Sequence, residues 1–441
     1  MSVGRVTSHL VRHGGEALAA VVAGFLAMAV TAALGLWAAG AADLPGGFPN
    51  VVAAVVVMAA GGQVDLAGDA GALAGTNAEL TAMPLTVTLV GALVTGFCFL
   101  RPMRHHAVAR TEELVARLAW TVVLWLAALA GISALARYDF RISIGGGQEQ
   151  DALSDLFGEL LDAVNPTVGF RTDVGPTLFY GLLWILGVLV IALLVSRGTP
   201  LPPRLVRYQE PVRPAAFAML LLLLTYVLIG LVVAVVVAAT KGHAAETLAV
   251  VLLGLPNVSW LALGVGIGGS WEGTAEGPFG LPMPQILDSV LRGPGTSGLS
   301  TVDLSSLASH DARAWWLLPV AAVLVLVAAF VAAVRSPARI RPWQHALHVG
   351  IAFALTVLVV APLTLVEARA GLSILGIGEL ESLGGEVLLR PHVWKTAGLA
   401  LLWGLVAGLI GGLLASRVHR HGEVETRPAK GDEAGPFPPR R

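Results

Sequence analysis

The chain holds 441 residues at a mean hydropathy of +0.77, with 56% hydrophobic and only 13% charged residues and a formal net charge of −1. A water-soluble domain carries about 25% charged residues, and several windows of 20 or more residues here carry none, so a soluble globular fold and a nucleic-acid partner are excluded and an all-α integral membrane protein is expected. The single Cys98 lies inside an apolar run, which rules out disulfides and cysteine metal sites and reads as a small apolar core residue.

In chain order, the first apolar run is Ala17–Ala42, after Arg5 and Arg12, and its end "LWAAGAAD" imitates a signal-peptide cleavage site. Its 26 residues exceed the usual signal core of about 7–15 residues, so it is read as a retained first span. Next comes "GFPNVVAAVVVMAAGGQVDLAGDAGALAG", Gly47–Gly75, with an apolar stretch between Pro49-Asn50 and Gly61-Gly62. A helix of about 11 residues rises about 16 Å, roughly half of a 30 Å hydrocarbon core. That segment is either re-entrant, dipping in and returning on one side, or interfacial. Spans follow at 83–100, 115–136, 176–196, 215–240, 315–334, 344–366 and 394–415, making eight. "EQDALSDLFGELLDAV" puts Leu153, Leu156, Phe157, Leu160 and Val164 on one face, an amphipathic helix lying on the outer interface or covering the bundle. Gly404, Gly408 and Gly412 make a close-packing face on the last span, suited to an internal contact or to a homo-oligomer seam. Trp37, Trp315, Trp316, Trp343 and Trp394 fall near span ends, where aromatic belts sit against the lipid bilayer. Residues 418–441 are charged and Pro-rich with no apolar period, and a disordered tail is expected.

The connections sort by charge. The N-terminus, the second, fourth and sixth gaps and the tail hold 19 of the 28 Lys and Arg but only 8 of the 29 Asp and Glu. The positive-inside rule then puts both termini in the cytoplasm of a multi-pass plasma-membrane protein with an acidic outer surface.

The chain also repeats itself. Gly47-x-Pro49-Asn50-Val51, followed after nine residues by Gly61-Gly62, recurs as Gly254-x-Pro256-Asn257-Val258 and Gly268-Gly269 at a constant offset of 207. Asparagine carries weight here, because the chain has only four. Met83-Pro84-Leu85 answers Leu318-Pro319-Val320, and Arg101-Pro102 with His105 answers Arg341-Pro342 with His345. Arg171, Thr177 and Leu182-Leu183-Trp184 answer Arg390, Thr396 and Leu401-Leu402-Trp403, and Ser196-Arg197 answers Ser416-Arg417. The order is unbroken. The expected organisation is a cytoplasmic N-terminus at 1–16, repeat 1 at 17–197, a linker at 198–214, repeat 2 at 215–417 with an outer insertion at 270–313, and the tail. Four spans per half is an even number, so the halves are parallel repeats about an axis along the membrane normal.

The interiors of all eight spans are free of ionisable residues; His345, His348, Glu367 and Lys395 sit at span ends, which counts against an ion-coupled pump and a voltage sensor. No nucleotide-binding glycine motif, zinc-protease motif or nucleophile elbow appears, and no catalytic residue, cofactor or metal is expected. The polar groups of interest lie outside: Gln63, Asp65, Asp69, Asn77 and Glu79, with Ser270, Glu272 and Glu276 as looser counterparts. The candidate pore or outer mouth is Pro49, Asn50, Gly61, Gly62, Gln63, Asp65, Asp69, Pro256, Asn257, Gly268 and Gly269. Asp65 and Asp69 either line a mouth or bind a cation through oxygen, or belong to a solvated loop.

At "GGQVDLAGDAGALAGTNAELTAMPLTVTLVGALVTG" followed by "FLRP", residues 61–102, the sequence resembles the streptophobe family, very hydrophobic membrane proteins of Streptomyces and related actinobacteria. The resemblance implies a membrane location and a lineage. It carries no activity and no functional residues.

Three functions compete, of which an intramembrane enzyme ranks last, because no buried acid, base or nucleophile is visible in the sequence. Of the remaining two, one is a channel or permease for an unidentified small solute, with the paired short segments at a pseudo-two-fold axis. The other is a non-transporting envelope scaffold whose acidic outer surface meets a protein partner. A polar cleft between 51–62 and 257–269 favours the first; an apolar, sealed junction favours the second.

Overall fold

The computed structural model describes residues 3–43, 47–69, 74–102, 111–141, 167–196, 203–242, 244–276, 300–337, 339–374 and 379–417. The amphipathic stretch near 149–164, the 277–299 part of the insertion and the 418–441 tail lie outside them.

The first half runs α1 (Val3–Ala38), α2 (Phe48–Ala59), β1 (Val64–Asp69), β2 (Ala74–Ala82), α3 (Leu85–Leu100), α4 (Thr111–Leu135), β3 (Tyr138–Arg141), β4 (Thr167–Thr172) and α5 (Val174–Val195). The second runs α6 (Pro203–Lys241), α7 (Ala244–Gly266), β5 (Trp271–Glu276), β6 (Ser300–Val302), α8 (Leu304–His310), α9 (Leu317–Arg335), α10 (Pro342–Leu363), β7 (Val366–Ile374), β8 (Glu379–Pro391) and α11 (Val393–Ala415). Apart from α8 and the 3-10 turns at Ala41–Asp43 and Ala312–Trp316, the order of elements among the described residues is the same in both.

The membrane part is an all-α bundle, and among the described residues eight helices are long and apolar enough to cross a membrane: α1, α4, α5, α6, α7, α9, α10 and α11. Length admits α7 and leaves out the 16-residue α3. The connections reverse that choice. α3 leaves β2 and runs antiparallel to α1, with Gly91 against Met28 and Thr95 against Gly24. Beyond it, α4 starts at the opposite end of the bundle, where Arg117 reaches Glu16 of α1 at 3.2 Å, and climbs back to β3. α3 therefore passes from the sheet side to the far side in about 24 Å of helix. α6 starts on the far side, where Arg335 at the end of α9 lies 3.6 Å over the Phe217 ring, and ends on the sheet side. α7 begins there and also finishes there: Gly266 abuts the Leu317 carbonyl at the start of α9, and β5 follows. Eight helices thus traverse the bundle (α1, α3, α4, α5, α6, α9, α10, α11), and α2 and α7 lie towards its sheet side.

The second short segment differs from expectation in length. Residues 257–266 are the C-terminal part of α7, which continues back through Pro256 to Ala244. The proline is accommodated because the backbone ladder is already opened one residue earlier: Leu255 N donates to Thr86 Oγ1 at 3.1 Å, and that hydroxyl donates to Val251 O at 2.8 Å. A side chain inserted into the i→i−4 ladder lets the helix open beside the proline, whose own missing bond is the one to Leu252 O. Much of the expected 198–214 linker likewise belongs to α6, which starts at Pro203.

The strands between the helices form one antiparallel sheet in the order β3-β4-β1-β2-β7-β8-β5-β6. The order β3-β4-β1-β2 in the first half reappears as β7-β8-β5-β6 in the second. The halves are sewn together by β2 and β7, in register from Ala74↔Ile374 to Ala82↔Val366. Two apolar cores centre on the two halves, with Leu85 of the first half joining the second and Leu253 of the second packing on the first. The first centres on stacked Phe25, Trp125 and Trp184, with ring centroids 4.2 and 4.5 Å apart, each pair contributing about 0.5–1.5 kcal/mol beyond area burial. The second gathers Leu222, Leu263, Val325 and Phe353. A third, around Trp271, Val302 and Leu307, lies where the sheet meets the bundle.

The glycine face of α11 is internal. Cβ atoms added at Gly404 and Gly408 would lie 2.7 Å from the Gly350 Cα and 2.8 Å from the Ala346 Cα, and one at Gly412 would sit 3.3 Å from the Pro342 Cα. Small residues at matching intervals on α10 and α11 let the two backbones touch.

Candidate functional site

Two matching brackets sit where the short helices turn into the sheet. In the first, Gly61 N donates to Met58 O at 3.0 Å and Gly62 N to Val57 O at 2.9 Å. In the second, Gly268 N donates to Val265 O at 2.9 Å and Gly269 N to Gly264 O at 2.8 Å. Both leading glycines have φ +93°, the left-handed stop of a Schellman motif. Behind each bracket stands a buried threonine from the first turn of a traversing helix. A Cβ on Gly62 would lie 2.9 Å from Thr177 Oγ1, and one on Gly269 would lie 2.8 Å from Thr396 Oγ1. The strand leaving each bracket pairs an acid with an arginine, Asp65↔Arg171 in the first and Glu272↔Arg390 in the second. Positions matched in sequence order therefore meet in space in the same arrangement twice.

The two asparagines do not share a role. Asn50 Nδ2 donates to Leu135 O at 2.9 Å and to Arg137 O at 3.1 Å, closing the end of α4 within its own half. Asn257 Nδ2 donates to Met83 O at 2.9 Å, and its Oδ1 accepts from Leu85 N at 3.2 Å, so it caps α3 of the other half. Pro49 is exposed in the first turn of α2, and Pro256 is buried within α7. Gln63 and Asp65 are exposed. Asp69 ends β1 opposite Gly75 and Thr167, and its side chain lies outside the description.

A polar cluster that the sequence reading does not assemble sits at the second bracket. Glu272 Oε1 is 2.9 Å from His392 Nε2, and His392 Nδ1 is 3.4 Å from Ser270 Oγ. Lys395 Nζ donates to Ser270 Oγ at 3.0 Å, and His392 N donates to Ser270 O at 3.0 Å. Ser270 is only 5% exposed, whereas the His392 and Glu272 side chains are 39% and 42% exposed. The only hint in the sequence is that Ser270 and Glu272 follow Gly269; their partners lie more than a hundred residues on. Among the described residues no group of three or more His, Cys, Asp and Glu is gathered as for a metal ion.

Trp37, Trp315, Trp316 and Trp394 are exposed at the sheet-side ends of α1, α9 and α11, and Trp343 is exposed at the far end of α10. No family model matches the chain, and no curated protein and no solved structure matches it.

Proposed function

We propose that the protein is a non-transporting scaffold of the plasma membrane, built by internal duplication, that holds its eight-stranded sheet outside the cell as a platform for an envelope partner. The observation that carries this reading is the lacing of α3 to α7. The polar side chains at this seam between the halves, Thr86 and Asn257, are consumed by four hydrogen bonds that fasten one helix to the other. Beside them the seam is apolar, with Leu252 and Leu253 packed on Gly35 of α1. A conduit needs polar groups free to replace a solute's hydration, and this seam spends its own on backbone groups.

Orientation follows from charge. The connections expected in the cytoplasm carry 19 of the 28 Lys and Arg and the others 21 of the 29 acidic residues, which favours cytoplasmic termini and a sheet that faces out. Membership of the streptophobe family is our assignment from residues 61–102. The function is tested in proteoliposomes by osmotic swelling with small neutral solutes and by ion flux. The scaffold reading expects rates equal to those of protein-free vesicles. A flux above that level, abolished by Asp65→Asn, establishes the permease reading instead.

A further inference from the structure

The two brackets provide an internal control. Both have the same glycine turn, the same buried threonine and the same acid–arginine strand pair. At the positions corresponding to Ser270, Glu272, His392 and Lys395, the first half has Gln63, Asp65, Asp173 and Pro176. The bracket therefore folds without serine, histidine or lysine. Their convergence in the second half is chemistry added to a scaffold that does not need it.

The hydrogen bonds order this cluster into a relay. With its ring proton on Nε2 towards Glu272, His392 has Nδ1 as an acceptor. Ser270 Oγ accepts from the Lys395 ammonium, so its own hydrogen is free to go to Nδ1, 3.4 Å away. A hydroxyl, an imidazole held by a carboxylate, and a cation beside the hydroxyl oxygen form the constellation required for an activated serine. Lys395 is exposed on the first turn of α11, next to Trp394, which is 82% exposed at the membrane rim.

We propose that Ser270 is a nucleophile that cleaves carboxylic esters presented at the membrane surface, with His392 as general base, Glu272 as its positioning residue and Lys395 as the oxyanion donor. Ser270 Oγ bonds to the ester carbonyl carbon as its proton passes to His392 Nδ1. The carbonyl electron pair moves onto oxygen beside Lys395 Nζ. Collapse breaks the carbon–alkoxy bond, and the imidazolium returns the proton to the departing alcohol. Water, deprotonated by His392, then attacks the acyl-serine, releasing the carboxylic acid and restoring the hydroxyl. This inference stands apart from the scaffold reading, since a protein that passes no solute can still carry a reactive serine.

The test uses the full chain in lipid nanodiscs with a fluorophosphonate probe, locating the adduct by peptide mass spectrometry. The expected result is one adduct, on Ser270. His392→Gln should slow its formation by about a hundredfold or more, and Lys395→Gln, at an exposed position that leaves folding intact, should slow it as well. Hydrolysis of p-nitrophenyl palmitate in the nanodisc should exceed that of the water-soluble butyrate ester. Absence of an adduct on Ser270 in the monodisperse wild-type protein overturns the proposal, as does a labelling rate unchanged in both variants.

Discussion

Asn257 of α7 holds Leu85 of α3: its side-chain oxygen accepts the Leu85 N–H at 3.2 Å while its amide donates to the Met83 carbonyl at 2.9 Å. One turn away, the Thr86 hydroxyl is stitched between Val251 O and Leu255 N. Pro84 has no N–H to offer, and the first N–H groups of any helix lack internal partners. A side chain from the other half supplies what α3 lacks at its start, and α3 in turn bridges Val251 O and Leu255 N of α7, one residue before its proline.

This relationship predicts unequal costs at the two matched asparagines. Asn257→Leu strands Leu85 N and Met83 O at a half-buried seam and should destabilise by about 1–3 kcal/mol. It should loosen the halves together, seen as faster proteolysis between residues 196 and 203. Asn50→Leu disturbs only the end of α4 and should leave that cleavage unchanged. Thermal unfolding in detergent, followed by limited proteolysis, reads both.

At the second bracket, Gly268 and Gly269 should fail for different reasons. An alanine at Gly268 meets only Leu399 at 3.7 Å, so its penalty is the left-handed backbone alone, about 1–2 kcal/mol. An alanine at Gly269 would place its Cβ 2.7 Å from the Gly264 carbonyl oxygen, a backbone atom that cannot step aside. Gly269→Ala should therefore lower the melting temperature more than Gly268→Ala, and more than Gly62→Ala, whose nearest neighbours are the side chains of Val57 and Thr177.

The traversing helices and both glycine turns were legible because each rests on local information, long apolar runs and Gly-Gly stops; Pro-Asn marks a start only at α2, since Pro256-Asn257 lies inside α7. The sheet was not. β1 reads "VDLAGD" and β2 "AGTNAELTA", with little β-branched content and no clean alternation of apolar and polar residues. These strands form because the helix ends bring them side by side, and β2 finds its partner β7 about three hundred residues away. The same non-locality hid the Ser270 cluster. The relation between the matched asparagines was visible, but their divergent bonds depend on how the halves pack.

The α10–α11 contact should reject bulk selectively. Gly404→Leu and Gly408→Leu drive side chains into the Gly350 and Ala346 backbones, and overpacking of this kind costs about 1–3 kcal/mol or more. Gly398→Leu has nothing within 4 Å and should be neutral. Size-exclusion profiles and melting temperatures should separate the first two variants from the third.

α8 should weaken on acidification. Burial pushes the Asp303 carboxyl up, but hydrogen bonds from Ser305 and Ser306 outweigh that and hold it below its ordinary value. A carboxyl lowered in the folded state contributes stability that is complete above the unfolded carboxylate range and is lost as pH falls through the lowered native value. Hydrogen exchange across 303–311, corrected for intrinsic rates, should accelerate over that acidic window. Asp303→Asn should abolish the pH dependence, and Asp303→Ala should cost about 1 kcal/mol of local protection at neutral pH.

The central claim is that α3 traverses the bundle while the longer α7 begins and ends beside the sheet. It is tested most directly by single cysteines in a Cys98→Ser background, labelled in intact cells with an impermeant thiol reagent. Ala245→Cys at the start of α7 and Gln63→Cys after α2 are both exposed and should react together from outside. Glu113→Cys and Arg339→Cys, exposed on the far side, should react only after the cells are permeabilised. Reaction of Ala245→Cys from the side opposite to Gln63→Cys would mean that α7 crosses the membrane, and it would contradict this account.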